Sequence, residues 1–258
     1  MLLSNWKTLG LTGFFLLINV LVFSLETVNG VNVFSPSTVD LLRWGANFAP
    51  LTLTGDSWRL FSNMFLHIGI IHLAVNCWAL YAFGIYTEFY YGRLYYLGLY
   101  LSAGLVGSLV SLMHNQATVE MLLKGDIPPI SAGASGAIMG LGGALIIAAW
   151  RPKSGLLITQ TLKLKPLLVI MAINFAFGLS VRGIDNAAHF GGLLTGALVG
   201  LVFSLTDQRS PTIKTIFRIS IFFLLLIVSW IILHQLQAQA SALLPIRADI
   251  LSELKPRR

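Results

Sequence analysis

Seven apolar runs divide this chain, and each is long enough to cross a lipid bilayer as a helix. They cover residues 9–25, 66–87, 95–114, 134–150, 167–182, 187–205 and 219–235. The core of a bilayer offers no water to backbone amides and carbonyls, so a spanning segment must satisfy these groups within its own helix. The pattern therefore predicts an all-α fold, a polytopic membrane helical bundle with seven crossings.

The composition supports a membrane protein and argues against one that binds nucleic acid. Of 258 residues, 56% are hydrophobic and only 10% are charged, whereas a soluble domain carries about 25% charged residues. The net charge of +7 is spread over short loops and forms no basic patch with interleaved aromatic residues. We therefore expect the lipid bilayer as the surroundings and no nucleic acid as a partner.

The lysines and arginines predict the orientation, because cytoplasmic loops carry an excess of positive charge. With the N-terminus in the cytoplasm, nine basic residues lie on the inner side and four on the outer side before the last run. The inner residues are Lys7, Arg93, Arg151, Lys153, Lys163, Lys165, Arg209, Lys214 and Arg218, and the outer residues are Arg43, Arg59, Lys124 and Arg182. We predict a multi-pass protein of the bacterial inner (plasma) membrane with a cytoplasmic N-terminus. The C-terminal tail is an exception to this excess of cytoplasmic positive charge, since it adds Arg247, Lys255, Arg257 and Arg258 to the outer side.

Two polar residues open apolar runs that enter from the same face of the membrane. Ser135 stands in Gly133-Ala134-Ser135-Gly136, and His189 begins a later run. A serine hydroxyl is a poor nucleophile until a base takes its proton, and neutral imidazole is the usual base near neutral pH. The two residues therefore predict a catalytic dyad, although the serine motif alone is more typical of a helix-packing face.

A carboxylate that orients the histidine completes the familiar catalytic triad. Here every acidic residue falls in a loop or at the end of an apolar run. Asp185 is the nearest acid to His189 in sequence, but it lies in a loop four residues upstream. The sequence therefore predicts a dyad without a third member.

An acyl-transfer site also needs donors that stabilise an oxyanion. The backbone amide of Ser135 has no intrahelical partner at a helix start, and the helix dipole favours negative charge there. His72 and Asn76 are four residues apart and share a helix face, which suits either an oxyanion hole or an interhelical hydrogen-bond pair.

Glycines at four-residue spacing mark the two runs that carry Ser135 and His189. One run has Gly136 and Gly140, and the other has Gly192 and Gly196. Such stripes let helix backbones approach closely. We therefore expect these two helices to pack together and to set the distance between the serine and the histidine.

Taken together and in their order along the chain, the motifs of this sequence resemble those of the rhomboid intramembrane serine proteases over roughly residues 1–205. The likeness rests on Trp58-Arg59, His67, His72-x-x-x-Asn76, Gly84-x-x-x-Glu88-x-x-x-Gly92, Gly133-Ala134-Ser135-Gly136 and His189-x-x-Gly192-x-x-x-Gly196. It implies a rhomboid-like six-helix core in residues 1–205. Residues 206–258 would then be a linker, a seventh helix and a tail.

The resemblance also implies roles for individual residues. Ser135 would be the nucleophile and His189 the general base. The oxyanion hole would comprise His72, Asn76 and the Ser135 amide, with Gly133 shaping the turn. Structural support would come from Trp58, Arg59, His67, Glu88, Gly136, Gly140, Gly192 and Gly196. The helix at 167–182 would form part of a lateral gate for transmembrane protein substrates, with no cofactor or metal.

One position departs from the family pattern. Family members often place an aromatic residue four positions after the serine, against the catalytic histidine, but this chain has Met139 there. A thioether can still contact the imidazole. The departure therefore concerns how the histidine is oriented.

Three alternatives compete with a protease. A catalytically inactive rhomboid-like protein would bind membrane clients without cutting them, but it has no need for an activated serine. A transporter or channel would place acidic or paired charges in mid-membrane, and the runs contain none. A metalloprotease lacks its His-Glu-x-x-His motif, and His67 and His72 are five residues apart.

Overall fold

The computed structural model describes residues 10–114, 129–152, 162–180 and 184–254. In these ranges the regular structure is helical, with one isolated β-bridge between Asn47 and Ser131. Some residues used to predict the orientation lie outside the described ranges, namely Lys7, Lys124, Lys153, Arg182, Lys255, Arg257 and Arg258. The ends of the predicted spans 9–25 and 167–182 also reach beyond them.

Helices occupy the positions of all seven apolar runs. In chain order the α-helices are α1 (Gly10–Val28), α2 (Thr38–Trp44), α3 (Ala49–Thr52), α4 (Arg59–Ser62), α5 (Ile70–Tyr91), α6 (Arg93–His114), α7 (Ser135–Trp150), α8 (Leu164–Ser180), α9 (Asn186–Thr206), α10 (Pro211–Ala238) and α11 (Leu244–Leu254). Short 3-10 turns cover Asn63–Phe65 and Ala240–Leu243. By length and composition α1, α5, α6, α9 and α10 can cross a membrane, while α7 and α8 are apolar but shorter. The predicted fold class, a polytopic helical bundle with a seventh helix, is confirmed.

Helix α7 lies at the centre of the bundle, packed against α5, α6, α8 and α9. Its glycines allow this position. Gly192 and Gly196 of α9 lie against the carbonyls of Gly136 and Gly140 so closely that a methyl group at Gly192 or Gly196 would overlap the carbonyl oxygen. The two backbones therefore touch without intervening side chains, and α7 and α9 start side by side.

Residues 29–69, which we call the outer loop, connect α1 to α5 and contain α2, α3 and α4. The buried guanidinium of Arg59 holds this loop together. It donates to the carbonyls of Leu42 at 2.7 Å and Ala46 at 3.2 Å, and to the carboxylate of Asp56 at 3.1 Å. The ring of Trp58 lies 4.7 Å from the same guanidinium. One side chain with five donors thus gathers three segments of the loop.

Glu88 joins the other ends of α1 and α5. Its carboxylate accepts the backbone N–H groups of Leu11 at 2.9 Å and Thr12 at 3.0 Å, and it also pairs with Arg93 at 3.2 Å. A carboxylate at a helix N-terminus satisfies free amides and complements the helix dipole. Helix α5 extends past the predicted end at residue 87, so Glu88 lies within its last turn.

The chain after α9 returns to the side of the outer loop. Helix α10 packs against α6 and α9, and α11 packs against α2 and α3 of the loop. Arg218, near the start of α10, is buried and pairs with Asp207 at 2.6 Å. The tail and the outer loop therefore share one face of the bundle, as a seventh crossing requires.

Candidate active site

The hydroxyl of Ser135 and the imidazole of His189 lie within hydrogen-bonding distance. Ser135 Oγ is 2.7 Å from His189 Nε2. Ser135 is the first residue of α7, and His189 lies in the first turn of α9. Because glycine contacts hold these two helix starts together, residues 54 positions apart in sequence meet at one depth.

The second ring nitrogen of His189 is buried and has no hydrogen-bond partner among the described residues. The carboxylate of Asp185, the nearest acid to His189 in sequence, binds the backbone of α9. Its Oδ1 accepts the backbone N–H of Ala188 at 3.0 Å and caps the N-terminus of α9. The described residues therefore present a serine and a histidine without a carboxylate on the imidazole.

The ring that contacts His189 belongs to Phe175 on α8. Their centroids are 5.9 Å apart and the planes meet edge to face, at 83°. Met139 is buried, with 1% of its surface exposed, and belongs to the main hydrophobic core. The contribution of Phe175 was not predicted from the sequence, where the only hint was Met139 at a position for which an aromatic residue was expected.

The turn before Ser135 is held by the outer loop. Asn47 and Ser131 exchange two backbone hydrogen bonds, of 2.9 and 2.8 Å, and the amide of Gly133 donates to the carbonyl of Asn63 at 2.9 Å. Gly133 has φ +144°, and a methyl group there would lie 2.9 Å from the ring of His72. Both the backbone conformation and the space therefore require glycine.

His72 faces this turn in a defined tautomer. Its Nδ1 accepts the backbone N–H of Ile68 at 3.2 Å, so a neutral ring carries its proton on Nε2. A methyl group at Gly133 would lie 3.2 Å from this Nε2. Asn76 is buried one turn further on and donates an amide hydrogen to the carbonyl of His72 at 3.0 Å.

His67 lies behind His72 at the end of the outer loop. The two rings meet edge to face with centroids 5.4 Å apart, and His67 is buried. Burial, and then the nearby His72, lowers the pKa of His67 well below its ordinary value, although the carbonyl of Phe65 opposes the shift. His67 is therefore a neutral side chain at physiological pH.

A small cavity opens beside Ser135. Its polar lining includes Asn63, His72, Ser108, Ser131, Gly133 and Asp185. The Asn63 side chain donates to Ser108 Oγ at 3.0 Å. Apolar residues such as Met64, Ala137 and Ile184 form the rest of the wall, and the polar groups offer hydrogen-bond partners to water. Among the described residues no group of three or more His, Cys, Asp or Glu side chains is arranged to hold a metal ion.

Comparison with known proteins gives consistent matches. The Rhomboid domain family model matches residues 54–206. Rhomboid protease GluP of Bacillus subtilis (strain 168) is 37% identical over 194 residues, which are 75% of this chain and 35% of that protein. Rhomboid protease AarA of Providencia stuartii is 32% identical over 212 residues, 78% of this chain and 75% of that protein. RHOMBOID-like protein 6, mitochondrial, of Arabidopsis thaliana is 35% identical over 193 residues, 72% of this chain and 57% of that protein.

Proposed function

Because this chain belongs to the rhomboid family, we propose that it is an intramembrane serine endopeptidase that cleaves transmembrane segments of other membrane proteins. The observation that carries the proposal is the 2.7 Å separation of Ser135 Oγ and His189 Nε2. That distance allows direct proton transfer from the hydroxyl to the imidazole. The names of the relatives GluP and AarA, both rhomboid proteases, support the same activity.

In the acylation step, Ser135 Oγ attacks the carbonyl carbon of the scissile peptide while His189 Nε2 accepts the hydroxyl proton. The carbonyl oxygen becomes an oxyanion. The imidazolium then gives its proton to the amine of the leaving segment as the C–N bond breaks. An acyl ester on Ser135 remains, and a water molecule attacks its carbonyl carbon while His189 takes a proton from the water. The ester C–O bond then breaks, the imidazolium returns the proton to Ser135 Oγ, and the substrate leaves with a new carboxyl group.

Three groups can bind the oxyanion. The backbone N–H of Ser135 lies at the start of α7, where helix N–H groups lack intrahelical partners. The Nε2–H of His72 faces the same turn. Asn76 gives one amide hydrogen to the carbonyl of His72, and we assign its other amide hydrogen to the oxyanion.

The orientation completes the proposal. Arg93, Arg151, Lys163, Arg209 and Lys214 lie at the ends of helices remote from the outer loop. We place that end in the cytoplasm of a bacterial cell and the outer loop, with Ser135 and His189, on the other side. The substrate helix must then unwind near the outer face of this membrane. Within an intact helix the backbone carbonyls are hydrogen-bonded, so they are not available for attack.

The decisive experiment incubates the purified full chain in detergent with a model transmembrane substrate. We expect cleavage by the wild type, none by Ser135→Ala, and unchanged cleavage by Ser24→Ala. Ser24 is a matched control because it is exposed on α1, where its hydroxyl donates a hydrogen bond to the carbonyl of Val20 at 2.7 Å. Equal cleavage by wild type and Ser135→Ala would refute the assigned nucleophile.

One alternative has specific support, since relatives in Arabidopsis thaliana are named RHOMBOID-like without the word protease. An inactive family member would bind transmembrane segments and leave them intact. A fluorophosphonate distinguishes the two functions, because it labels an activated serine without any substrate. Labelling of the wild type but not of Ser135→Ala supports the protease, and the absence of labelling on folded wild type supports the inactive binder.

A further inference from the structure

The chain beyond α10 turns back over the outer loop. The 3-10 turn Ala240–Leu243 follows α10, and α11 continues to Leu254. With 11 residues α11 is too short to cross the bilayer. It packs against α2 and α3 of the outer loop. This segment lies outside residues 54–206, where the family match ends, so its purpose is not explained by the shared core.

Apolar contacts seat the segment at two places. The first cluster joins Leu236, Ala240 and Leu243 to residues of the outer loop and α6, namely Ala49, Leu53, Leu60, Leu109 and Leu112. The second joins Ile250 and Leu254 of α11 to Leu42, Phe48 and Leu51 of the loop. Apolar side chains on both sides of the contact exclude water from the loop's outer surface.

Polar contacts accompany these clusters: Gln237 donates to Ser57 Oγ at 2.9 Å, Arg43 donates to the carbonyl of Leu254 at 3.3 Å, and Arg247 makes three more. The guanidinium of Arg247 donates to the carbonyl of Leu51 at 3.1 Å, to Thr54 Oγ1 at 3.3 Å and to Asp56 Oδ1 at 2.7 Å. One side chain of α11 thus binds both the backbone and a carboxylate of the loop. Pairing with Asp56 also neutralises a positive charge that runs against the charge rule on the outer side.

Asp56 shares its carboxylate between α11 and the interior of the loop. Its Oδ1 binds Arg247 and its Oδ2 binds Arg59 at 3.1 Å. Burial alone raises the pKa of this carboxyl, but the hydrogen bonds and charges of Arg247 and Arg59 outweigh it and hold the pKa below its ordinary value. Arg59 in turn binds the carbonyls of Leu42 and Ala46.

The outer loop connects these contacts of Asp56 to the turn that precedes Ser135. Asn47 directly follows Ala46 and pairs with Ser131 through two backbone hydrogen bonds. Asn63 binds the amide of Gly133, two residues before Ser135. The Asn63 side chain also donates to the carbonyl of Arg59 at 2.6 Å. Hydrogen bonds, together with the peptide bond between Ala46 and Asn47, therefore connect Arg247 to the turn before Ser135.

We propose that residues 236–254 form a clamp that holds the outer loop against the candidate site, with Arg247 as a positioning residue for the turn before Ser135. The clamp itself depends only on the contacts of residues 236–254 with the loop and α6. Its effect on catalysis rests on the proposed function. A looser loop leaves the oxyanion donors less well preorganised, so loss of the clamp lowers kcat and changes KM little.

Hydrogen exchange of the full chain in detergent tests the clamp without using activity. In Arg247→Gln we expect backbone amides of residues 41–62 and 129–133 to exchange about tenfold faster than in the wild type, because a charge-assisted contact that closes the loop is lost. Arg247→Lys keeps a positive charge beside Asp56 but lacks the forked geometry of the guanidinium. Its loop amides should therefore exchange more slowly than those of Arg247→Gln and faster than those of the wild type.

Two controls separate this effect from general destabilisation. Asp249→Asn alters an exposed residue of the same helix and should leave exchange of the loop unchanged. Arg218→Gln removes a similar arginine–aspartate pair at the opposite end of α10 and should leave the outer loop protected. Asp56→Asn removes the contact with Arg247 and also weakens the one with Arg59. Adding Arg247→Gln to Asp56→Asn should therefore increase loop exchange little beyond that of Asp56→Asn alone.

The outcomes are distinct. Unchanged loop exchange in folded Arg247→Gln overturns the clamp. Faster exchange with unchanged kcat overturns the link to Ser135, because a purely structural contact would not alter turnover. If Arg247→Gln speeds loop exchange as expected but the wild type cleaves no substrate, the result contradicts the proposed function and still supports the clamp.

Discussion

The ring of Phe175 meets the imidazole of His189 edge to face, with 5.9 Å between the centroids. The two residues come from neighbouring helices, α8 and α9, so the position of α8 bears on the orientation of the histidine. Nδ1 of His189 has no hydrogen-bond partner among the described residues. We therefore expect packing against Phe175 to take the orienting role that a carboxylate plays in a triad.

Replacing Phe175 by leucine should lower turnover about two- to tenfold, since an edge-to-face aromatic contact contributes roughly 0.5–1.5 kcal/mol. Phe175→Tyr should retain the ring contact and most of the activity. Ile173→Leu is the matched control, because Ile173 lies on the same helix with 60% of its surface exposed. Equal kcat values for Phe175→Leu and Ile173→Leu would show that the ring does not orient the histidine.

The oxyanion donors should have graded effects. His72→Ala should lower kcat about 10²–10³-fold, the typical loss for one oxyanion donor. Asn76→Ala should cost less, because one amide hydrogen of Asn76 is already bonded to the carbonyl of His72. Steady-state kinetics on matched amounts of folded protein measure both. Full activity in both variants would reassign the pair to helix packing.

Gly196→Val tests the contact between α7 and α9. Any side chain at Gly196 overlaps the carbonyl of Gly140, and overpacking commonly costs about 1–3 kcal/mol. A shift of roughly 1 Å at the dyad could lower the rate about 10²-fold, so activity should fall further than the melting temperature. Leu198→Val, at a residue with 44% exposure, should change both only slightly. Wild-type activity in Gly196→Val would contradict the close-packing account.

The Asp56 carboxylate should make stability depend on pH. Its pKa lies below the ordinary value in the folded protein, so its stabilising effect is complete above the ordinary value of about 3.9. That effect is lost as the pH falls through the lowered pKa of the folded state. Asp56→Asn should therefore melt at a lower temperature than the wild type near neutral pH, and the difference should shrink in acid. A difference that is constant with pH would mean that the charge of Asp56 is not what stabilises the loop.

The positions of the apolar helices could be predicted from the sequence with small errors at their ends. The run 134–150 corresponds to α7, Ser135–Trp150, and the run 187–205 to α9, Asn186–Thr206. Ends shifted where polar residues join a helix, as Glu88 does in α5. A helix in a membrane satisfies its own backbone, so its location depends on local composition. The motifs for Ser135 and His189 are local in the same sense.

Contacts between distant segments needed the tertiary structure. Nothing in the sequence around Phe175 points to His189, and nothing near Arg247 points to Asp56, about 190 residues away. No role for Asp185 beyond its nearness to His189 could be predicted from the sequence, and the structure shows that it caps α9, which depends on how the chain enters that helix. The helices, their small-residue faces and the candidate chemistry follow from local composition and spacing, so the amino-acid sequence was sufficient to predict them. The helix that supports the histidine and the contacts that hold the outer loop emerge only from the packed fold, because both depend on side chains that meet after the helices have assembled.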